Sequence, residues 1–290
     1  MGPGRRPGCP SLASLFVTAV LLAAPAPASA VEAGLEGGRL SVRDNAGVTA
    51  HTNVLFDGAA DEFVVLDLGS TSTAGPGCAA GADPLNPSGN AVRCPRAGVR
   101  RIVVSLGAGD DFFSNGGSLH VPRTVPTIVF GGPGDDSVVG SPARETLDGG
   151  PGADILEGRG NVDTMTYASR TTPVRAAFFI FGGSGGAMDG PRGSRDTIRG
   201  DVERIVGGRA GDRLIGNLRR NLLVGGAGGD VIVARGGNDR LVGGAGRDRL
   251  FGGAGRDSLR GLAGRPDRCF GGAGRDVRRA PGCEIRRSIP

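Results

Sequence analysis

The feature that most constrains this chain is a nine-residue period. From Gly207 the sequence reads GGRAGDRLI, GNLRRNLLV, GGAGGDVIV, ARGGNDRLV, GGAGRDRLF and GGAGRDSLR, then GLAGRPDRCF with one extra residue, then GGAGRDVRR. Two clean copies lie upstream, GGPGDDSVV from Gly131 and GGPGADILE from Gly149. Decayed copies, GSPARETLD from Gly140 and GRGNVDTMT from Gly158, sit between and after them, and LGAGDDFFS from Leu106 is a looser, isolated copy. Glycine and proline together make 75 of 290 residues. Without a period such a share suggests low complexity; with one it suggests stacked turns.

The unit is G-G-x-G-x-D-x-U-x, with U a large apolar residue. Glycines at the first, second and fourth positions permit positive φ and close backbone approach. The remainder is extended, with U pointing inward at Val138, Leu156, Leu214, Leu223, Ile232, Leu241, Leu250 and Leu259. One unit supplies a turn and a very short strand, so two units close a coil, and stacked coils pair their strands at about 4.8 Å. No coil buries its thin apolar column alone, but a stack does. That accounts for a folded chain with 4% aromatic residues and no Trp.

This unit resembles the hemolysin-type calcium-binding (RTX) nonapeptide repeat, a β-helix repeat. The resemblance covers about 131–166 and 207–279 and extends loosely over 105–206, where DTMTYASR and DTIRGDVERIVGG look like spacers of exported actinobacterial members. It implies an all-β fold, a parallel β-roll or β-solenoid, that binds several Ca²⁺ ions.

The sixth position carries the candidate metal ligands: Asp136, Asp154, Asp163, Asp212, Asp230, Asp239, Asp248, Asp257 and, after the inserted residue, Asp267 and Asp276. Turns on one side of a roll recur every two units. One ladder is therefore Asp212, Asp230, Asp248 and Asp267, and the other Asn221, Asp239, Asp257 and Asp276; Asp136 and Asp154 are spaced in the same way. Carboxylates stacked at rung spacing repel. A hard cation with six to eight oxygen ligands relieves this, and calcium tolerates irregular geometry better than magnesium. The competing reading is an Asp that only caps its own turn. Asn221, Glu145 and Pro266 interrupt the pattern.

Charge divides the chain. Residues 31–206 carry 15 Arg and 21 acids, residues 207–290 carry 17 Arg and 8 acids, and there is no Lys. Arg fills the fifth position at Arg247, Arg256, Arg265 and Arg275, and the seventh at Arg213, Arg240, Arg249 and Arg268. This reads as a solvated face, or as a basic stripe for an anionic wall polymer or polysaccharide. Export and the lack of aromatic stacking platforms argue against nucleic acid.

Residues 1–30 read as a secretory signal peptide: Arg5 and Arg6, an apolar run Leu12 to Ala24, and Ala28-Ser29-Ala30 before the cut. The run of about 13 residues is too short to span a bilayer, and no transmembrane segment follows. The expected localisation is secreted, extracellular or at the cell surface. Four cysteines then remain in an oxidising compartment. Of three possible pairings the local one is expected, Cys78–Cys94 and Cys269–Cys283. Residues 31–104 read as a β-rich N-terminal cap, with strands at Arg39 to Arg43 and Glu62 to Asp67 and a stapled loop over 75–99. Residues 105–206 read as a first roll segment and 207–290 as the C-terminal roll, ending where Arg278 takes the inward position.

No enzyme is expected. There is no H-E-x-x-H. Gly182-Gly183-Ser184-Gly185-Gly186 matches G-x-S-x-G, but that elbow needs a downstream His, and the two histidines are His51 and His120.

Overall fold

The computed structural model describes residues 30–278, apart from 46, 48, 69–70, 83–89, 116–120, 179–195, 200–201 and 265, together with 283–285. The signal-peptide reading, His120 and the G-x-S-x-G match lie outside the described residues.

Repeated short strands stack into a parallel β-roll. One face is a 12-stranded sheet that runs the length of the molecule. The opposite face is made of two shorter sheets, of eight strands and six strands. Register is strict at eighteen residues: Leu222↔Arg240↔Ser258 on the long sheet and Arg213↔Val231↔Arg249 on the second short sheet. The extra residue in GLAGRPDRCF is absorbed in the turn, and Arg249 pairs with Arg268. Because side chains alternate along a strand, every U residue faces inward. Leu214, Leu223, Ile232, Leu241, Leu250 and Leu259 are all fully buried, and Cys269 takes the U position of the next coil. Burying one such side chain contributes roughly 1.5–3 kcal/mol.

The turns explain the glycines. Gly244 and Gly246 have φ of 118° and 138°. A Cβ on Gly246 would also collide with the carbonyl of Gly228 in the preceding coil. The conformation persists where the glycine has been replaced: Arg159, Arg235 and Leu262, all at the second position, have φ of 74°, 76° and 83°.

The N-terminal strands are continuous with the roll. Arg39–Asp44 pairs in parallel with Arg101–Ser105, and His51–Asp57 pairs in parallel with Phe112–Ser114. Antiparallel partners close this end: Ala30–Glu36 against Arg39–Asp44, and His51–Asp57 against Glu62–Asp67. Over 75–99 the structure differs from the expected loop. Ala79–Ala82 and Asn90–Pro95 form an antiparallel pair that extends the first short sheet. Val92 and Cys94 alternate inward and are buried, so the segment has a strand's pattern despite its Gly and Pro content.

Both disulfides are the local ones, Cys78–Cys94 and Cys269–Cys283. Arg278 pairs with Leu259 at the last rung of the long sheet. The spacer enlarges one coil. Arg175–Ala177 pairs forward with Arg213–Ile215, while Thr197–Arg199, later in sequence, pairs backward with Ile155–Glu157. This is why the second face is two sheets. Among the described residues, no helix is long and apolar enough to cross a membrane.

Candidate metal centre

The sixth-position residue of each unit leaves its turn just before the strand. Its side chain points back over its own glycine turn, away from solvent. Asp154, Asp163, Asp230, Asp248 and Asp267 are 0% exposed, and Asp136, Asp212, Asp239 and Asp257 are also buried. Only glycine fits beneath them: a Cβ on Gly225 would collide with Asp230 Oδ2, and one on Gly243 with Asp248 Oδ2.

Each ladder is tied by one hydrogen bond per rung. The backbone N–H of Asp212 donates to Asp230 Oδ1 (2.7 Å), that of Asp230 to Asp248 Oδ1 (2.9 Å) and that of Asp248 to Asp267 Oδ1 (2.8 Å). The second ladder runs Asn221 to Asp239 (2.7 Å), Asp239 to Asp257 (2.9 Å) and Asp257 to Asp276 (3.1 Å). Upstream, Asp111 donates to Asp136 Oδ1 and Asp136 to Asp154 Oδ1, both at 2.9 Å. The two ladders expected over 207–279 are therefore the ones the backbone links. Asp276, at the end, is only half-buried.

Four further acidic residues join the ladders. Asp154 N–H donates to Asp196 Oδ1 across the spacer (3.0 Å), and Asp163 N–H donates to Glu203 Oε2 (3.0 Å). Glu145, buried in a decayed unit, donates its N–H to Asp163 Oδ1 (2.9 Å). Asp111 accepts from Ala50 N–H (2.6 Å) and so carries the series back to the N-terminal strands. Asp196-Thr197-Ile198-Arg199 keeps the D-x-U-x half of the unit, and LGAGDDFFS places Asp111 at its sixth position; those are the signals in the sequence.

The two oxygens of each carboxylate differ. Oδ1 takes the rung hydrogen bond. Oδ2 of Asp136, Asp154, Asp230, Asp239, Asp248, Asp257 and Asp267 is buried and accepts no hydrogen bond. An unpaired buried charge is costly, and burial pushes these groups toward the neutral form. Asp136, Asp230 and Asp239 are raised to about 7, chiefly by burial, with a neighbouring carboxylate of the ladder, Asp111, Asp248 and Asp257 respectively, adding to it. Asp154, Asp248 and Asp257 are raised for the same first reason. At Asp212 the own-turn cap is made instead, since Gly208 N–H donates to Oδ2 (2.6 Å); Asn221 does likewise for Asn217 N–H (2.9 Å).

Among the described residues no three His, Cys, Asp or Glu side chains converge on one point. Donors beyond the carboxylates must therefore be main-chain carbonyls. These are at hand: a Cβ on Gly225 would meet both Asp230 Oδ2 and the Gly243 carbonyl oxygen, and one on Gly252 both Asp257 Oδ2 and the Gly271 carbonyl oxygen. The donor set is all oxygen, anionic and irregular. It suits a hard divalent cation of high coordination number and offers nothing to a thiophilic metal.

A parallel roll whose turns present stacked carboxylate and carbonyl oxygens belongs to the class of β-solenoids with acidic glycine-turn repeats. The model of the RTX calcium-binding nonapeptide repeat matches this chain four times, at residues 130–165, 206–241, 233–266 and 242–277, and these segments are RTX calcium-binding repeats. Among curated proteins none matches the chain.

Proposed function

We propose that this is an exported, non-catalytic calcium-binding protein whose roll completes its fold outside the cell around several Ca²⁺ ions. The observation that carries the reading is the series of buried Oδ2 atoms without hydrogen-bond partners. Asp136, Asp154, Asp163, Asp230, Asp239, Asp248, Asp257 and Asp267, with turn carbonyls, are the residues that hold the ions. Asp212 takes part once its cap on Gly208 is given up, and Asp276 is the terminal ligand. Bound calcium supplies charge compensation and cross-links neighbouring coils, so its binding energy adds to folding energy. Extracellular calcium modules work at about 10⁻⁴–10⁻³ M, and a roll tuned to that range stays open inside the cell and closes outside it. Export rests on the Arg5 to Ala30 segment. The test is circular dichroism of the full chain during calcium titration. The β signal rises with calcium and falls on chelation; identical spectra in chelator and in millimolar calcium refute the reading.

A second reading is favoured by the excess of arginine after residue 207: a calcium-dependent surface adhesion or matrix module that holds an anionic wall polymer or polysaccharide. In it the ions build the scaffold and the arginines bind the partner.

A further inference from the structure

The roll sorts its charges. Six of the eight acids after residue 207, Asp212, Asp230, Asp239, Asp248, Asp257 and Asp267, are buried in the turns. Their charge does not offset the arginines at the surface, least of all when cations hold them. The arginines are also unevenly placed. At the seventh position of the second short sheet the register runs Arg175, Arg213, Val231, Arg249, Arg268 and ends at Glu284, so two pairs of arginines stand on hydrogen-bonded neighbouring strands. The corresponding column of the long sheet runs Arg204, Leu222, Arg240, Ser258, with no two arginines adjacent. Adjacent like charges at about 4.8 Å cost stability. Arg213, Arg249 and Arg268 have no ion-pair partner among the described residues.

Beside the arginines runs an apolar column at the ninth position, Ala177, Ile215, Val233, Phe251, Phe270. The Phe251 and Phe270 rings stack on each other at 4.9 Å and 4°. Two depressions open on this face. One of about 430 Å³ is lined by Arg213, Val231, Val233, Arg249 and Phe251. The other, about 310 Å³, is lined by Arg247, Arg249 and Arg268 with Val231, and also by Asp230 and Asp248 of the ladder. They share Val231 and Arg249 and so adjoin on this face.

We infer that the outer face of this sheet, from Arg213 to Arg268, binds a linear carboxylated polysaccharide laid along the roll axis. Arg213 and Arg249, two rungs apart, take successive carboxylates of a polymer with one uronate per disaccharide in forked hydrogen bonds, and Arg268 adds to the second. The C–H faces of the sugar rings cover Val231, Val233 and the edge of the Phe251–Phe270 stack. Single-stranded nucleic acid fits less well, because a single pair of stacked rings offers no series of aromatic platforms for successive bases. This deepens the adhesion reading and rests on it.

The test uses the full chain in millimolar calcium, with hyaluronate oligosaccharide as the probe and dextran, polyphosphate and oligothymidylate as comparisons. Two double variants are compared: Arg249→Ser with Arg268→Ser on the short sheet, and Arg204→Ser with Arg240→Ser on the long sheet. Calorimetry is expected to show binding of hyaluronate and not of dextran, lowered about tenfold or more in the first variant and within about twofold of the parent in the second. No binding by the parent chain, or equal loss in both variants, overturns the assignment of the face. Binding of polyphosphate or oligothymidylate as tight as that of hyaluronate overturns the assignment of the partner. Circular dichroism with and without calcium on the same samples reports separately on the calcium-dependent roll.

Discussion

Replacing Asp230 by Asn is expected to stabilise the calcium-free roll and to weaken the calcium-loaded one. Asp230 is 0% exposed; Oδ1 accepts the Asp212 N–H and Oδ2 accepts nothing. Burial raises its carboxyl from 3.8 to about 7. Above pH 7 the folded state must carry the buried charge, which costs about 4 kcal/mol. Asn keeps the Oδ1 acceptor and removes the charge, but it leaves a buried amide donor unpaired, costing about 1–3 kcal/mol. The net gain without metal is about 1–3 kcal/mol. The sequence already contains the outcome at Asn221, whose Nδ2 is buried without a partner. The sign with pH is fixed. The folded pKa lies above the unfolded one, so the parent's metal-free stability is fully present below about pH 4 and is lost as pH rises through about 7. The advantage of Asn therefore vanishes in acid and reaches its plateau above pH 7. In saturating calcium the order reverses, because an anionic ligand is missing. Urea unfolding followed by circular dichroism, in chelator and in calcium at pH 5 and pH 8, measures all four cases. An Asn variant less stable than the parent in chelator at pH 8, or an advantage that does not change with pH, refutes the argument.

Position in the ladder also matters: Asp248, bonded to both neighbours, is expected on replacement by Ala to raise the calcium midpoint more than Asp276, which is half-buried and bonded on one side. Each change strands one N–H, that of Asp230 in a buried bond and that of Asp257 in a part-buried one, so the first is the costlier within about 1–3 kcal/mol; calorimetry compares the two. Leu262→Gly is expected to stabilise the roll by about 1 kcal/mol, since φ of 83° is strained for leucine and its side chain is 44% exposed; thermal unfolding in fixed calcium reads it, and a lower midpoint counts against the strain. Removing Cys269–Cys283 by paired Ser substitution is expected to cost about 3 kcal/mol for a separation of 14, read by unfolding with the Cys78–Cys94 bond intact. Mass mapping of unreduced protein checks both bonds, and a cross-link between the two halves contradicts the closed ends.

The period made the repeats legible. A fixed spacing of eighteen predicts both the strand register and which carboxylates stack, and Leu241 above Leu223 and Asp248 above Asp230 follow from counting alone. The N-terminal strands at Arg39 and Glu62 were legible from alternation. Counting fails where an insertion separates neighbours. Asp196 meets Asp154 across 42 residues and Glu203 meets Asp163 across 40, so neither spacing marks a partner. The split of the second face was hidden for the same reason: Arg175–Ala177 precedes Thr197–Arg199 in sequence, yet one pairs forward and the other backward. The difference between Oδ1 and Oδ2 of one Asp is a matter of burial and donor direction, which no residue pattern encodes.

The enlarged coil bears on how calcium binding propagates. In a stack of repeats, stability is a sum of units and of interfaces between neighbours. On the short-sheet side, Asp111 to Asp196 form one hydrogen-bonded series and Asp212 to Asp267 another, and the two belong to separate sheets. The long sheet crosses the spacer unbroken, through Thr164–Thr166 and Arg204–Val206 paired by Met165↔Ile205. The two halves therefore share a spine but not both faces. A lesion at Asp230 is felt along a ladder of four carboxylates and reaches the first half through the long sheet and the shared core. The arginine face lies wholly on the second half, on the sheet whose turns hold Asp212 to Asp267. Arg213, Val231, Arg249 and Arg268 stand on successive rungs of that sheet, so if the proposed polymer binds there, metal in the turns and polymer on the face favour the same folded state and each strengthens the other.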